Sequence, residues 1–157
     1  MKYTDLLASI VRDSDTSLRI TTPEDWMQGR TIYGGLSAAI CFEAAKTLAG
    51  DKPLRSAQIA FVGPAGGDLT ATAKLLREGK NTAYVSADLM GEAGIGSHAT
   101  FVFGAHRDSA FNHWNTPALP EDAGRPEDKV SFFPDGVGPA FTKNFETQFA
   151  FGSIPLS

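Results

Sequence analysis

The sequence predicts an α+β domain in which one curved antiparallel sheet wraps around a single long helix. The stretch from Tyr33 to Ala49 is almost entirely apolar, and a helix that is apolar on most sides is a buried one. Five of its apolar residues are alanines, which let the backbone of a surrounding sheet come close. The residues from Arg55 to Phe103 form segments of alternating polarity joined by short turns, a pattern typical of antiparallel strands.

Composition limits the classes of function. The chain has 157 residues, of which 42% are hydrophobic and 20% charged, as expected for one globular domain with its own core. A net charge of −4 does not indicate a nucleic-acid partner. No apolar run is long enough to span a bilayer, and the N-terminus lacks the residue order of a signal peptide. The single cysteine, Cys41, falls in the predicted helix and is most simply a core residue in a reducing compartment. We therefore predict a cytoplasmic protein without a membrane partner.

The N-terminal residues predict two elements and a loop. Apolar residues within Tyr3 to Arg12 have the spacing of a short amphipathic helix, capped by Thr4 or Asp5. Ser17 to Thr22 alternates in polarity and predicts the first strand. Trp26 to Ile32 is predicted to be a loop that leads into the central helix.

The central helix and the strands after it are marked by their ends. Gly50 and Pro53 end the helix. Four alternating segments then predict strands, with a hairpin turn at Glu78-Gly79: Arg55 to Val62, Asp68 to Arg77, Asn81 to Met90 and Ile95 to Phe103. The predicted order is one strand, the buried helix, and four antiparallel strands.

The character of the chain changes after Gly104. Residues 108–142 are rich in proline and glycine and have no sustained periodicity, which favours a linker or crossover. Lys143 to Phe151 alternates again, with phenylalanines on one face, and predicts a strand that has no place in the first sheet. We expect a domain at 1–107, a linker at 108–142 and a further strand within 143–157.

Gly34 and Gly35 stand where the central helix begins. Glycine can adopt left-handed backbone angles and lets a ligand approach the main chain. The first N–H groups of a helix have no partner within it and attract an oxyanion or a polarised carbonyl. The alternative is that the two glycines form only a tight turn before a core helix.

Three stretches resemble the N-terminal hotdog domain of the acyl-CoA thioesterase II family: GRTIYGGLSAAICFEAA, LRSAQIAFVGPAGGDLTATAKLLREGKNTAYVSADL and SHATFVFG. That family typically shows a Gly-Gly helix start, a strand that ends in Phe-x-x-Pro, and a Leu-Arg-x-Gly-Arg hairpin. Here these motifs are Gly34-Gly35, the residues from Phe61 to Pro64, and the residues from Leu76 to Lys80, with lysine in place of the last arginine. The resemblance covers roughly Trp26 to Gly104 and implies the hotdog fold, a sheet wrapped around a helix.

The resemblance also implies an activity and shows a departure from the family. Members hydrolyse acyl-CoA thioesters to free acid and CoA, usually with two hotdog domains in one chain and a catalytic Asp, Thr and Gln mostly in the second. This sequence stops where the second would begin, so those three roles cannot be assigned to any residue here. Either the chain is a shortened or fragmentary member, or two copies pair to complete the double layer. We therefore expect a dimer, another homo-oligomer, or pairing with a second hotdog domain.

Glu43 and Thr47 are the candidate catalytic side chains, together with the Gly35 amide. Some single-hotdog thioesterases place a carboxylate where Glu43 stands, eight residues after the second glycine. Eight residues of helix rise about 12 Å, so one thioester carbon cannot contact both Gly35 and Glu43 of the same helix. The pair requires a second, antiparallel hotdog domain, and Thr47 would orient the water. The alternative is that Glu43 lies on an exposed stripe and pairs with Lys46.

The remaining candidates concern substrate binding. Tyr33, Trp26 and Phe61 are candidates to line an acyl tunnel, although aromatic residues near a helix start are often part of the core. The Gly34 amide is a candidate to polarise the thioester carbonyl together with that of Gly35. Arg77 and Lys80 are candidates to contact the phosphates of CoA, or are simply solvated. No histidine has carboxylate or cysteine partners at metal-ligand spacing, so we predict neither a metal site nor a cofactor.

Two functions from different classes remain open. The first is an acyl-CoA thioesterase that acts as a dimer or within a two-hotdog assembly. The second is a non-catalytic hotdog module that binds an acyl group or acyl-CoA. A hydratase is a weaker third hypothesis, because the sequence shows no histidine beside the acidic residue such enzymes need. Fold alone cannot choose among them.

Overall fold

The computed structural model describes residues 1–111, 116–118, 120, 131–133 and 137–150. The chain divides into two compact units. The first comprises Met1–Arg107 with Pro139–Asn144, and the second comprises residues 108–138 with 145–157. The first unit contains the predicted sheet and helix.

The main sheet of the first unit has six antiparallel strands. Its strands are β1 (Val11–Ser14), β2 (Ser17–Thr22), β5 (Leu54–Phe61), β6 (Gly67–Glu78), β7 (Thr82–Gly91) and β8 (Gly94–Gly104). They are arranged in the order β1-β2-β6-β7-β8-β5. A small second sheet pairs β3 (Met27–Gln28) with β4 (Thr31–Ile32). The four strands predicted after the helix are present within one or two residues of their expected bounds.

The helices are α1 (Tyr3–Ala8) and α2 (Gly34–Lys46), and a 3₁₀ turn at Thr47–Ala49 extends α2. Alternating residues of β6, β7 and β8 are buried together with one side of α2, among them Leu89, Phe101 and Phe103. Burying a side chain of this size stabilises a fold by roughly 1.5–3 kcal/mol. Gly50, with φ of 61°, ends the turn as the sequence predicts. The fold is a hotdog: one long helix packed against an antiparallel sheet.

Cys41 lies on the buried side of α2 and is fully covered. Burial, and then the negative charge of Asp88, raise the pKa of its thiol from 9.0 to about 12. A neutral thiol of this kind behaves as a small apolar group, in agreement with its predicted place in the core. Neither described helix is long and apolar enough to cross a membrane.

The N-terminal prediction is wrong in its detail. The helix predicted over Tyr3 to Arg12 ends at Ala8, and no side chain caps it, because Lys2 stands at the N-cap. Val11 and Arg12 instead pair with β2 as part of the edge strand β1. The loop predicted over Trp26 to Ile32 contains the β3–β4 hairpin. Short pairings such as these are made by tertiary contact, which local spacing cannot reveal.

The structure also differs from the strand that the sequence predicts over Lys143 to Phe151. Ala140–Asn144 forms a 3₁₀ turn that belongs to the first unit, where Asn144 Nδ2 donates to the Asp25 carbonyl oxygen at 2.8 Å. In the second unit a single antiparallel bridge joins Ser131 to Gln148. A strand requires a partner along its length, and the described residues supply one only at 131–133. Phe151 lies outside the described residues.

Candidate functional site

The N-terminus of α2 is an uncapped helix end. Tyr33 occupies the N-cap, and no side chain accepts a hydrogen bond there. The amides of Leu36 and Ser37 both donate to the Tyr33 carbonyl oxygen, at 2.9 and 3.2 Å. The amides of Gly34 and Gly35, the first two of the helix, have no acceptor among the residues that the structure describes. The positive end of the helix dipole is therefore open to a carbonyl oxygen or an oxyanion at this point. We call this part of the molecule the glycine end.

The two glycines are required for space and not for backbone angle. Neither has a positive φ, so the left-handed conformation considered from the sequence is not used. A Cβ at Gly34 would lie 3.0 Å from the ring of Phe61, and a Cβ at Gly35 would overlap the ring of Tyr33. The rings of Phe61 and Tyr33 thus occupy the space that side chains at Gly34 and Gly35 would need.

The three aromatic candidates have different surroundings. Tyr33 stacks on Phe141, with ring centroids 4.3 Å apart and planes 12° from parallel. Phe61 is 63% exposed. Trp26 is only 2% exposed, and its indole N–H donates to the Met1 carbonyl oxygen at 3.0 Å. The structure therefore places Tyr33 and Phe61 at the glycine end and places Trp26 in the core.

Glu43 is buried and paired. It is 8% exposed, so the exposed stripe expected for it is wrong, whereas the expected pairing with Lys46 is present. Lys46 Nζ lies 2.7 Å from both carboxylate oxygens. Arg12 from β1 lies 3.5 Å from Glu43 Oε2 and donates to the Glu43 carbonyl oxygen at 2.9 Å. Burial, and then the charge of Glu43, raise the pKa of the nearby Tyr3 phenol.

Thr47 is held by the backbone. Its hydroxyl lies 2.7 Å from the Asp15 carbonyl oxygen and 3.0 Å from that of Ala44. The single hydroxyl proton is therefore shared between two carbonyl acceptors of its own chain. In this conformation Thr47 has only acceptor capacity to offer to a water molecule.

The candidates are distributed over both ends of α2. The helix is continuous between Gly35 and Glu43, so about 12 Å of rise separates them within one chain. Arg77 and Lys80 belong to the β6–β7 hairpin, which packs beside the C-terminal turn of the helix, Thr47–Ala49. We call this part the hairpin end. Within one chain, therefore, Gly34, Gly35, Tyr33 and Phe61 come together, and Glu43, Thr47, Arg77 and Lys80 do not join them.

A histidine and an aspartate meet where the sequence indicated no such pair. His98 on β8 and Asp88 on β7 are register partners, with Nδ1 and Oδ1 2.6 Å apart. Both are partly exposed and alternate with the buried Leu89 and Ala99, so they lie on the face of the sheet opposite α2. The alternation of buried and exposed residues along one strand does not give the cross-strand register that brings Asp88 to His98. The described residues contain no group of three or more metal-ligating side chains.

Residues 22–104 match the family model of the acyl-CoA thioesterase N-terminal domain. The chain belongs to the acyl-CoA thioesterase N-terminal domain family. The residues that match this thioesterase domain contain α2 and strands β5 to β8, including the glycine end. No curated protein matches the chain.

Solved structures support the fold of this acyl-CoA thioesterase N-terminal domain. A conserved protein of unknown function with a hotdog fold, from Alicyclobacillus acidocaldarius, is 20% identical, with a TM-score of 0.74 over 91% of this chain and 53% of that one. The TesB protein of Mycobacterium avium subspecies paratuberculosis is 18% identical, with a TM-score of 0.68 over 92% of this chain and 67% of that one. The BH2602 protein of Bacillus halodurans, solved with CoA, is 20% identical, with a TM-score of 0.56 over 66% of this chain and 76% of that one. This chain spans about half the length of the Alicyclobacillus protein.

Proposed function

We propose that the protein binds an acyl-CoA thioester at the glycine end and takes part in its hydrolysis to a free acid and CoA. The observation that carries the proposal is the pair of acceptor-free amides of Gly34 and Gly35 in a member of a thioesterase family. Donors already fixed in place can stabilise the oxyanion that forms when water attacks a thioester carbonyl. The single buried cysteine is compatible with the reducing cytoplasm in which we place the protein.

Hydrolysis also needs a base, which we propose comes from a second hotdog domain. Within one helix the rise between Gly35 and Glu43 prevents both from contacting one thioester. An antiparallel partner would bring its own Glu43 to the Gly35 amide, with Thr47 accepting a hydrogen bond from the attacking water. Because Lys46 and Arg12 hold Glu43 in this structure, those ion pairs would have to rearrange for the carboxylate to accept a proton.

Strand β5 is the edge along which we propose this pairing. It bonds to β8 on one side only, and seven of its eight residues are exposed. Leu54 and Phe61 at its two ends are 40% and 63% exposed. An open, partly apolar edge strand is a template for another strand. A second copy of the chain, or the second hotdog of a longer protein, would extend the sheet there.

A non-catalytic acyl-CoA-binding module is the second candidate function. It is favoured by the satisfied state of the two candidate catalytic side chains. Glu43 is buried in ion pairs, and the Thr47 hydroxyl is committed to backbone oxygens. In this case the glycine end would bind the thioester without a base to activate water.

The test is a screen of short, medium and aromatic acyl-CoAs with free-thiol detection, accompanied by binding measurements. Thioesterase activity predicts thiol release, whereas a binding module predicts saturable binding without release. Gly35→Ala should lower both binding and turnover at least tenfold, because the added methyl displaces Tyr33 and blocks the approach to the amide. Gly79→Ala is the matched control, since a Cβ there meets only the Thr82 carbonyl oxygen at 3.8 Å. Equal behaviour of the two variants would count against a site at the glycine end.

A further inference from the structure

Arg30 is a cation held at the tip of the β3–β4 hairpin. The hairpin turns at Gly29, whose φ of 66° is costly for other residues, and this turn leaves Arg30 exposed. Two other arginines of the same unit are held in ion pairs: Arg12 binds Glu43, and Arg19 binds Asp13. Arg30 forms no ion pair or hydrogen bond in the part of the chain that the structure describes.

Two clefts meet at Arg30. The larger, of about 540 Å³, is also lined by Glu92, whose negative charge disfavours an anion. The smaller, of about 390 Å³, is lined by Gln28, Arg30 and Thr31 on one side and by residues 61–64 on the other. None of the described residues that line it has a carboxylate. An unpaired guanidinium beside a side-chain amide and an exposed aromatic ring suits a phosphate that is attached to an organic group.

The smaller cleft adjoins the glycine end through Phe61. The ring of Phe61 lines the cleft and also lies 3.0 Å from the position of a Cβ at Gly34. A thioester whose carbonyl lies at the glycine amides can therefore extend across this ring toward Arg30. In an acyl-CoA the phosphates lie at the far end of a flexible arm from the thioester.

We propose that Arg30 binds a phosphate of CoA while Phe61 supports the arm that joins it to the thioester. The inference rests on the proposed function and deepens it. It places the phosphates on the chain that supplies Gly34 and Gly35. Arg77 and Lys80, the other candidates, lie at the hairpin end, about 18 Å from the glycine end within one chain, so they could approach the same thioester only from a paired domain.

The test compares an acyl-CoA with the corresponding acyl-pantetheine, which has the same thioester but no phosphate. Binding is measured by calorimetry with a non-hydrolysable thioether analogue of each, and turnover by thiol release. Arg30→Gln should weaken acyl-CoA binding about tenfold or more and leave acyl-pantetheine binding unchanged. The variant should also reduce the salt dependence of acyl-CoA binding, and any turnover should show the loss in KM and not in kcat. Arg77→Gln makes the same change at the hairpin end. If Arg30 alone binds the phosphate, this variant should bind both ligands with the affinity of the unmodified protein.

The other possible outcomes test separately whether Arg30 binds a CoA phosphate and whether the protein hydrolyses the thioester. Equal weakening of both ligands by Arg30→Gln would show that Arg30 acts through structure and would overturn the inference. Selective weakening by Arg77→Gln alone would move the phosphates to the hairpin end and overturn it as well. Selective weakening by Arg30→Gln without thiol release would support Arg30 while removing the hydrolytic function. Absence of binding by either ligand would overturn both proposals.

Discussion

Glu43 is the residue at which the structural and catalytic interpretations differ most. Its carboxylate lies in the third turn of α2, 8% exposed, between Lys46 and Arg12. Glu43 is the buried member of these pairs, whereas the side chains of Lys46 and Arg12 are 44% and 35% exposed, so loss of the cations is more costly than loss of the carboxylate charge. The same group can serve as a base only if the ion pairs open in an assembly.

We predict that Glu43→Gln separates the two interpretations. Loss of the charge should lower the free energy of unfolding by no more than about 1 kcal/mol, because Lys46 and Arg12 are partly exposed and are solvated without it. Lys46→Gln should lower it further, by about 1–3 kcal/mol, because the buried carboxylate then keeps only the contact with Arg12 at 3.5 Å; urea unfolding of both variants measures the difference. If Glu43 is the base, Glu43→Gln alone should also lower kcat by at least a hundredfold at unchanged acyl-CoA affinity. Full activity of both variants would leave Glu43 as a structural ion pair.

At the scale of single residues, the sequence predicts those features that depend only on close neighbours in the chain. The Gly-Gly helix start and the i,i+3 pair of Glu43 and Lys46 depend only on neighbours along one helix, and both are present. The burial of Glu43 involves Arg12, 31 residues earlier in the chain, and the pairing of Asp88 with His98 depends on the register of the β7–β8 hairpin, which the alternation of each strand does not give. Arg30 was not singled out either, because its position at the cleft is set by a hairpin and a loop that only the fold brings together.

At the scale of elements, the turn Ala140–Asn144 is one that sequence periodicity did not predict. It belongs to the same unit as the sheet, although the 35 residues 105–139 separate it from β8. Two contacts hold it, the stack of Phe141 on Tyr33 and the hydrogen bond from Asn144 to the Asp25 carbonyl oxygen, and Thr142 is buried. Long alternating strands such as β6 to β8 were predictable because one buried face imposes period two along many residues. A five-residue turn has no such repeat.

We predict that Phe141→Ala releases this turn from the glycine end. Loss of a half-buried ring and its stack should lower the free energy of unfolding by about 1–3 kcal/mol. Hydrogen exchange should become faster at the amide of Thr142, which donates to the Pro139 carbonyl oxygen at 3.1 Å. Lys143→Ala changes an exposed residue of the same turn and serves as the control. Unchanged exchange in Phe141→Ala would show that the other contacts suffice to hold the turn.

At the scale of the whole molecule, the open edge of β5 is the feature that a lone domain leaves unexplained. The opposite edge strand, β1, has only four residues and carries the Asp13–Arg19 ion pair, so it is short and charged. Short, charged edges discourage pairing, whereas β5 is eight residues long, ends in exposed apolar side chains and has one charged residue, Arg55, near its start. The sequence indicated that a second hotdog is needed, but the choice of edge depends on strand order, which local pattern does not give.

We predict that a charge at the centre of β5 controls assembly. Gln58 lies near the middle of this strand, so two copies that pair antiparallel about a two-fold axis place their residues 58 close together. Gln58→Lys and Gln58→Glu should each weaken self-association by about tenfold, because like charges then face each other across the new pair. An equimolar mixture of the two variants should restore association, because the facing charges become opposite. Sedimentation velocity at several concentrations measures all three samples.

Any thiol release should fall and recover in parallel with assembly, because the base and the glycine amides would come from different domains. A monomer in the unmodified protein at tens of micromolar, or association unaffected by either charge, would remove β5 as the pairing edge.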